Sequence, residues 1–135
     1  MKYFAYGMNT NLNQMASRCP GAVCLGPAWI RDYQLVFRYF ADIEPAAGAL
    51  CDGVLWEIGE DDLYALDRLE GYPWNYTRFT VLAHTERGST PALVYQMTDQ
   101  TRESEPSGYY FDMVHEGYTQ NGVPVDQLFA TELVE

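Results

Sequence analysis

Positive charge is what this sequence has least of. Lysine and arginine number 8 against 19 Asp and Glu in 135 residues, a net charge of −11. A nucleic-acid partner needs a basic surface, and anionic lipid attracts one as well. The charge balance argues against both, so no nucleic acid and no membrane is expected as a partner. No apolar run approaches the roughly 20 residues that cross a bilayer. The start, Met1 to Gly7, holds no apolar stretch of signal-peptide length. Cysteine is sparse. Cys19, Cys24 and Cys51 are an odd, scattered set with no CxxC, which predicts reduced thiols in a cytoplasmic protein. His84 and His115 are the only histidines; without HExxH or a His/Cys spacing suited to zinc, no metal is expected. There is no phosphate loop, no GxGxxG and no GxSxG elbow. No internal repeat or low-complexity tract divides the chain, so a single domain over 1–135 is expected.

Aromatic residues are plentiful, at 15% with 11 tyrosines. Tyrosines buried in such number suggest a polar cavity, since each hydroxyl needs a partner. Lys2 to Ala5 reads as a short strand. Tyr6 to Asn11 is a turn, and Thr10 or Asn11 can cap a helix carrying Leu12, Met15, Ala16 and Cys19. Trp29 to Phe40 alternates Tyr33, Leu35, Phe37 and Tyr39 as a strand. Glu44 to Gly48 reads as a loop and Gly53 to Ile58 as another strand. Glu60 to Glu70 is the clearest helix, acidic in its first turn and followed by Gly71 as a C-cap. Phe79–Ala83 and Ala92–Met97 form a hairpin through Arg87-Gly88-Ser89. A polar loop covers Thr98 to Ser107. Phe111–Tyr118 and Val125–Leu133 carry weak helical patterns. The acids from Asp99 to Glu135 are spread out, as on a solvated face. Many strands and few helices without strict alternation indicate an α+β fold. Its sheet is expected to be mostly antiparallel, as a small β-barrel flanked by a few short helices.

Two places carry chemistry. Glu70 lies seven residues after Leu63 and four after Leu66, on the apolar stripe of its helix. A carboxylate there either splays into solvent at the helix end or faces a cavity. Facing a cavity, desolvation and the negative end of the helix dipole raise its pKa, which suits acid/base work. The second place is Tyr6-Gly7-Met8-Asn9. A strand, a glycine turn and a helix start can point several backbone N–H groups at one anion or carbonyl oxygen, although an ordinary connection would look the same.

Taken in order, further segments resemble the gamma-glutamylcyclotransferase-like superfamily. They are Tyr3-Phe4-Ala5-Tyr6-Gly7-Met8-Asn9, then Arg18-Cys19-Pro20-Gly21-Ala22 with Arg31-Asp32-Tyr33-Gln34-Leu35-Val36-Phe37. Gly53 to Ile58 follows, then Leu66-Asp67-Arg68-Leu69-Glu70-Gly71 with Tyr76 soon after. Last come Val94 to Met97, Pro106 to Tyr110 and Asn121-Gly122-Val123-Pro124. Each is weakly specific; the ordered set spans nearly the whole chain. The resemblance implies a small barrel with its cavity at one end. It makes Glu70 the acid/base residue. It implies substrate binding by Tyr6, Gly7, Met8 and Asn9, with Tyr76, Tyr95 and Tyr110 in the cavity. Met8 departs from the Ser usual in that turn. The activity implied is conversion of a γ-glutamyl amine or γ-glutamyl amino acid into 5-oxoproline and a free amine, as a cytoplasmic enzyme of a small-molecule substrate, without cofactor, metal or covalent intermediate. A monomer or a loose homodimer is compatible. The acidic surface favours neutral or cationic leaving amines over highly anionic ones. Two alternatives stay open: a non-catalytic small-molecule-binding or regulatory module on the same barrel, and a Cys–His hydrolase or transferase using Cys51 or Cys24.

Overall fold

The computed structural model describes residues 1–133; Glu135, the last of the acids read as a solvated face, lies outside them. The chain forms five strands and three α-helices: β1 (Lys2–Ala5), α1 (Leu12–Arg18), β2 (Val23–Arg38), β3 (Phe40–Glu57), α2 (Glu60–Glu70), β4 (Tyr76–Thr85), β5 (Gly88–Met97) and α3 (Gly108–Asn121). Short 3-10 turns cover Met8–Thr10 and Asp126–Leu133. The strands close into a barrel in the order β1-β3-β2-β4-β5. All pairings are antiparallel except β1 with β5, which meet in parallel at Tyr3 and Leu93. Closure rests on two short seams, β1 with β5 at Tyr3 and Leu93 and β2 with β4 at Trp29 and His84.

Strands β2 and β3 form one long hairpin, from Val23 opposite Glu57 to Arg38 opposite Phe40. The expected Trp29–Phe40 strand is thus extended backwards to Val23 and ends at Arg38. Tyr39, at φ 68°, makes the turn, and Phe40 already belongs to β3. The expected loop Glu44–Gly48 is corrected as well, since it lies inside β3. Its surplus residues sit opposite Asp32, where the register jumps between Arg31 and Tyr33. Asp32 takes a positive φ there and accepts from the Gly48 N–H at 2.9 Å. Pro45 and Gly48, read as loop formers, serve a bulge instead, which tolerates both residue types.

The barrel interior is filled by Phe4, Ile30, Ile43, Cys51, Val54, Ala83 and Val94, all essentially inaccessible. Met15 of α1, Leu66 of α2 and Val114 and Tyr118 of α3 join that core. In α1 only Met15 is buried, with Cys19 just beyond it; Leu12 and Ala16 face solvent. Asn11 caps α1, its side chain accepting from the N–H groups of Asn13 and Gln14. Ser107 caps α3 by accepting from Tyr110 N–H at 3.1 Å. The β4–β5 turn falls one residue earlier than read, with Thr85 opposite Gly88. No helix among the described residues is long and apolar enough to cross a membrane.

Candidate active site

The first turn after β1 is braced from below by α3. Asn11 Nδ2 donates to the Met113 carbonyl at 3.0 Å and to Glu116 at 2.8 Å. Asn121 Nδ2 donates to the Thr10 carbonyl at 2.9 Å, and the Tyr118 hydroxyl donates to the Tyr6 carbonyl at 2.6 Å. Such contact requires Gly117, where an added Cβ would come within 2.6 Å of the Asn11 backbone nitrogen. The 3-10 turn uses the Thr10 and Asn11 N–H groups internally, on the carbonyls of Gly7 and Met8. Among the described residues, the N–H groups of Met8 and Asn9 have no backbone acceptor. The Met8 N–H is directed at the Tyr110 hydroxyl, and the Asn9 N–H remains available, as first-turn N–H groups are.

Beside this turn lies a cavity of about 520 Å³. Every residue singled out in the sequence lines it: Glu70, the turn residues Tyr6, Gly7, Met8 and Asn9, and Tyr76, Tyr95 and Tyr110. Strand β1 and the turn supply one wall. Tyr76 and Tyr95 come from the starts and ends of β4 and β5, and Tyr110 from the first turn of α3. Helix α2 contributes its last residue. Its stripe runs from half-buried Leu63 through fully buried Leu66 to Glu70, and Gly71 ends the helix in the left-handed conformation, φ 65°. Glu70 is therefore aimed at the cavity rather than frayed into solvent.

The tyrosines are fixed by hydrogen bonds. Tyr6 donates to the Tyr95 carbonyl at 2.7 Å, and Tyr76 to the Ala41 carbonyl at 3.1 Å. Tyr110 accepts from the Ala41 N–H at 3.0 Å. Tyr95 donates to Asp67 Oδ1 at 2.7 Å. Burial pushes the pKa of each of them up, Tyr110 to about 12, and the Glu70 charge adds to the rise in all four. They are neutral donors and acceptors at physiological pH. Glu70 itself is raised to about 7 by burial, with Arg18 alone pulling it back. One carboxyl among neutral hydroxyls, poised near neutrality, can both take and return a proton.

Three residues escaped the sequence reading. Tyr3 lines the cavity and accepts from Asn9 Nδ2 at 3.0 Å. Arg18 lines it too, and its Nη1 donates to Asn9 Oδ1 at 2.7 Å. Asp67 holds Tyr95 from behind. The only sequence signal for each was its place inside a segment that matched the family, Arg18-Cys19-Pro20, Tyr3 to Asn9 and Leu66 to Gly71; none of the three was given a role.

The Cys–His alternative finds no support in the geometry. Cys51 is fully buried, its thiol directed at the Asp52 carbonyl, and burial raises its pKa well above the thiol range. Cys24 lies on the surface beside Asn121. His84 pairs with Ser89 and stacks on Trp29, while His115 packs on Phe111 and Phe129. Among the described residues no group of three His, Cys, Asp or Glu is arranged to hold a metal ion.

The family model described as Gamma-glutamyl cyclotransferase, AIG2-like matches residues 3–112. A Bos taurus protein named Gamma-glutamylcyclotransferase is 29% identical over 92% of this chain and 73% of its own length. A Homo sapiens protein of the same name is 26% identical over 92% of this chain and 73% of its own. A solved structure titled Gamma-glutamyl cyclotransferase superposes with a TM-score of 0.88 at 26% identity, covering 100% of this chain and 88% of the other. With the barrel, the turn and the aimed carboxylate already in place, these matches settle the family: the chain belongs to the Gamma-glutamyl cyclotransferase, AIG2-like family.

Proposed function

We propose that this protein converts a γ-glutamyl amine into 5-oxoproline and the free amine, with Glu70 as the acid/base residue. One observation carries the reading. A carboxylate with no hydrogen-bonding partner among the described residues, raised to about 7, faces the same cavity as a glycine turn whose Met8 and Asn9 N–H groups have no backbone acceptor.

The substrate carbonyl oxygen or carboxylate binds on the N–H groups of Met8 and Asn9, taking the place of the Tyr110 hydroxyl at Met8, and developing negative charge is stabilised there. Because backbone groups do this, Met8 in place of Ser leaves the contact intact. Glu70 takes a proton from the substrate α-amino group. That nitrogen attacks its own γ-carbonyl carbon and closes a five-membered ring. The C–N bond to the leaving amine breaks, and Glu70 returns the proton to the departing nitrogen. Atoms balance without water, cofactor or metal. Holding the substrate folded supplies much of the rate, since the attack is intramolecular. Tyr76, Tyr95 and Tyr110 shape the pocket and exclude water. The three unpaired thiols suit a cytoplasmic setting.

The test is a product assay. Purified protein is incubated with γ-glutamyl amino acids, γ-glutamyl-lysine isopeptide and glutathione, and 5-oxoproline is measured by mass spectrometry beside Glu70→Gln. Product from the wild type alone supports the reading. Product from both removes Glu70 from the mechanism, and ligand binding without product moves the function to a binding module.

A further inference from the structure

Arg18 is the last residue of α1 and the only basic side chain lining the cavity among the described residues. Among those residues it forms no ion pair. A cation in the last turn of a helix balances the helix dipole, but a solvated face would serve that purpose equally. Arg18 is instead turned inward, and its Nη1 donates to Asn9 Oδ1 at 2.7 Å.

A guanidinium only donates. Asn9, which is buried, must therefore present its carbonyl oxygen to Arg18, and this fixes the amide. Its Nδ2 is left for Tyr3 and donates to the hydroxyl oxygen at 3.0 Å. An amide nitrogen accepts nothing. The Tyr3 proton is thus turned away from Asn9, and among the described residues it has no acceptor. Tyr3 is only 4% exposed and lines the cavity with Glu70 and the turn. A donor this deeply buried costs free energy unless a ligand takes it up. The ring is held in place: it meets Tyr95 edge-on at 5.9 Å, and its backbone pairs with Trp56 and Leu93. Burial and the Glu70 charge raise its pKa, so the proton stays on.

We propose that Arg18 is a positioning residue of the cyclisation: through Asn9 it aims the Tyr3 hydroxyl proton into the cavity as a donor for a substrate oxygen. The relay runs in one sense, from guanidinium to amide to phenol, and each bond polarises the next. A donor held in advance where negative charge grows needs no reorganisation at the moment of reaction. Without Arg18 the amide can turn over, and Asn9 Oδ1 then draws the Tyr3 proton out of the cavity. The inference rests on the cyclotransferase reading and adds a residue to its machinery.

The experiment is a double-mutant cycle on 5-oxoproline formation, with the γ-glutamyl substrate that the wild type turns over fastest. Rates are compared on the alkaline plateau of each variant, where Glu70 is ionised throughout. Tyr3→Phe should lower kcat/KM by roughly 100-fold, as loss of one such donor does. Arg18→Met should lower it by roughly tenfold, within the range of coupled neighbours. Arg18→Lys, which also only donates, should recover most of that loss. In the Tyr3→Phe background, Arg18→Met should cost less than about twofold more, because no proton is left to aim. Asn9→Asp keeps a partner for Arg18 but accepts from Tyr3 instead of donating to it, so it should lose at least as much as Tyr3→Phe. A merely structural Arg18, or one that touches the substrate directly, would lower kcat/KM by the same factor in both backgrounds. That outcome overturns the inference, as does Tyr3→Phe at the wild-type rate, while 5-oxoproline from the wild type keeps the cyclotransferase reading. No 5-oxoproline from the wild type on any substrate overturns both.

Discussion

Asp67 and Glu70 stand one turn apart on α2, and among the described residues only Asp67 is partnered. Asp67 Oδ1 accepts from the Tyr95 hydroxyl at 2.7 Å. Arg78 Nε lies 3.0 Å from the same oxygen, close enough for an ion pair though without hydrogen-bond alignment. The Arg78 guanidinium rests over the Tyr72 ring at 4.3 Å. Among the described residues Glu70 has only the electrostatic pull of Arg18. One carboxylate is thus structural and the other is left for chemistry.

Removing the structural one tests that division. Asp67→Ala takes the acceptor from Tyr95 and the partner from Arg78. It should cost about 1–3 kcal/mol, and kcat/KM should fall as Tyr95 loosens. Asp67→Asn keeps an acceptor for Tyr95 and should recover most of both losses. Thermal unfolding and steady-state kinetics on the two variants decide the matter. Equal damage from both would mean that the charge, rather than the hydrogen bond to Tyr95, is what matters.

Activity should follow the ionisation of Glu70. As the base, it must be deprotonated in the free enzyme. With its pKa raised to about 7 by burial, kcat/KM should rise with pH through that region and decline below it. Glu70→Gln should lose roughly 100-fold or more and lose the titration with it. A flat profile from pH 5 to 9 in the wild type would assign the proton transfer elsewhere.

The same carboxyl sets a stability trend of opposite sign. Its folded pKa, about 7, lies above the ordinary carboxyl value of 4.5. Between those values the folded state holds the proton more tightly than the unfolded one. This stabilisation is complete below about pH 4.5 and is lost as pH rises through about 7. Glu70→Gln carries no such cost. The variant should therefore gain on the wild type as pH rises from 5 to 8, by on the order of 2 kcal/mol. Urea unfolding of both proteins at several pH values measures the gap. A gap independent of pH would mean that the carboxyl is well solvated.

Local periodicity singled out Glu70 and the turn as candidates, while Tyr76, Tyr95 and Tyr110 came only from the family resemblance. Glu70 could be placed because Leu63 and Leu66 define a face by spacing alone, and Gly71 marks the helix end. The turn at Gly7 was legible because strand, glycine and cap residue follow one another directly. The hidden parts depend on contacts between residues far apart in sequence. Tyr95 meets Asp67 across 28 positions, and Asn11 meets Met113 across 102. No local pattern encodes either pairing. The β2–β3 hairpin misled for a different reason: proline and glycine at Pro45 and Gly48 are equally at home in a bulge and in a loop. Helix α3 was weakly patterned because its buried face consists of Val114, Gly117 and Tyr118, and only Val114 is an aliphatic side chain.

Gly117 offers a test of how α3 supports the site. A methyl group there would meet the Asn11 backbone nitrogen at 2.6 Å and its Cα at 2.8 Å. Neither atom can move aside as a side chain would. Gly117→Ala should cost about 1–3 kcal/mol through overpacking. It should also push α3 away from the turn, displacing Tyr110 from Ala41 and lowering activity. Thermal unfolding and kinetics test this together. An unaltered melting temperature would show that helix and turn have more room than these distances allow.

Asp42 is the last and most buried case. It is fully inaccessible and accepts from Arg38 Nε at 2.9 Å, Gln100 Nε2 at 3.0 Å and the Met97 N–H at 2.9 Å. Three segments meet on this one carboxylate: the tip of the β2–β3 hairpin, the end of β5 and the loop that carries Asp99. Asp42→Ala strands Arg38, itself buried, with Glu44 as its remaining partner. It also leaves the Met97 N–H without its acceptor, while Gln100 Nε2 keeps the Ile43 carbonyl. Breaking a buried ion pair from one side typically costs about 3–5 kcal/mol, far above the value of an exposed pair. Asp42→Asn, which keeps an acceptor but not the charge, should cost less. Hydrogen exchange should then quicken at Met97 in the alanine variant before it quickens in the barrel centre, because Met97 loses its acceptor outright. A loss below about 1 kcal/mol would mean that Glu44 alone can hold Arg38. In that case the loop bearing Asp99 would be anchored by the Gln100 bond to the Ile43 carbonyl, 2.7 Å, rather than by Asp42.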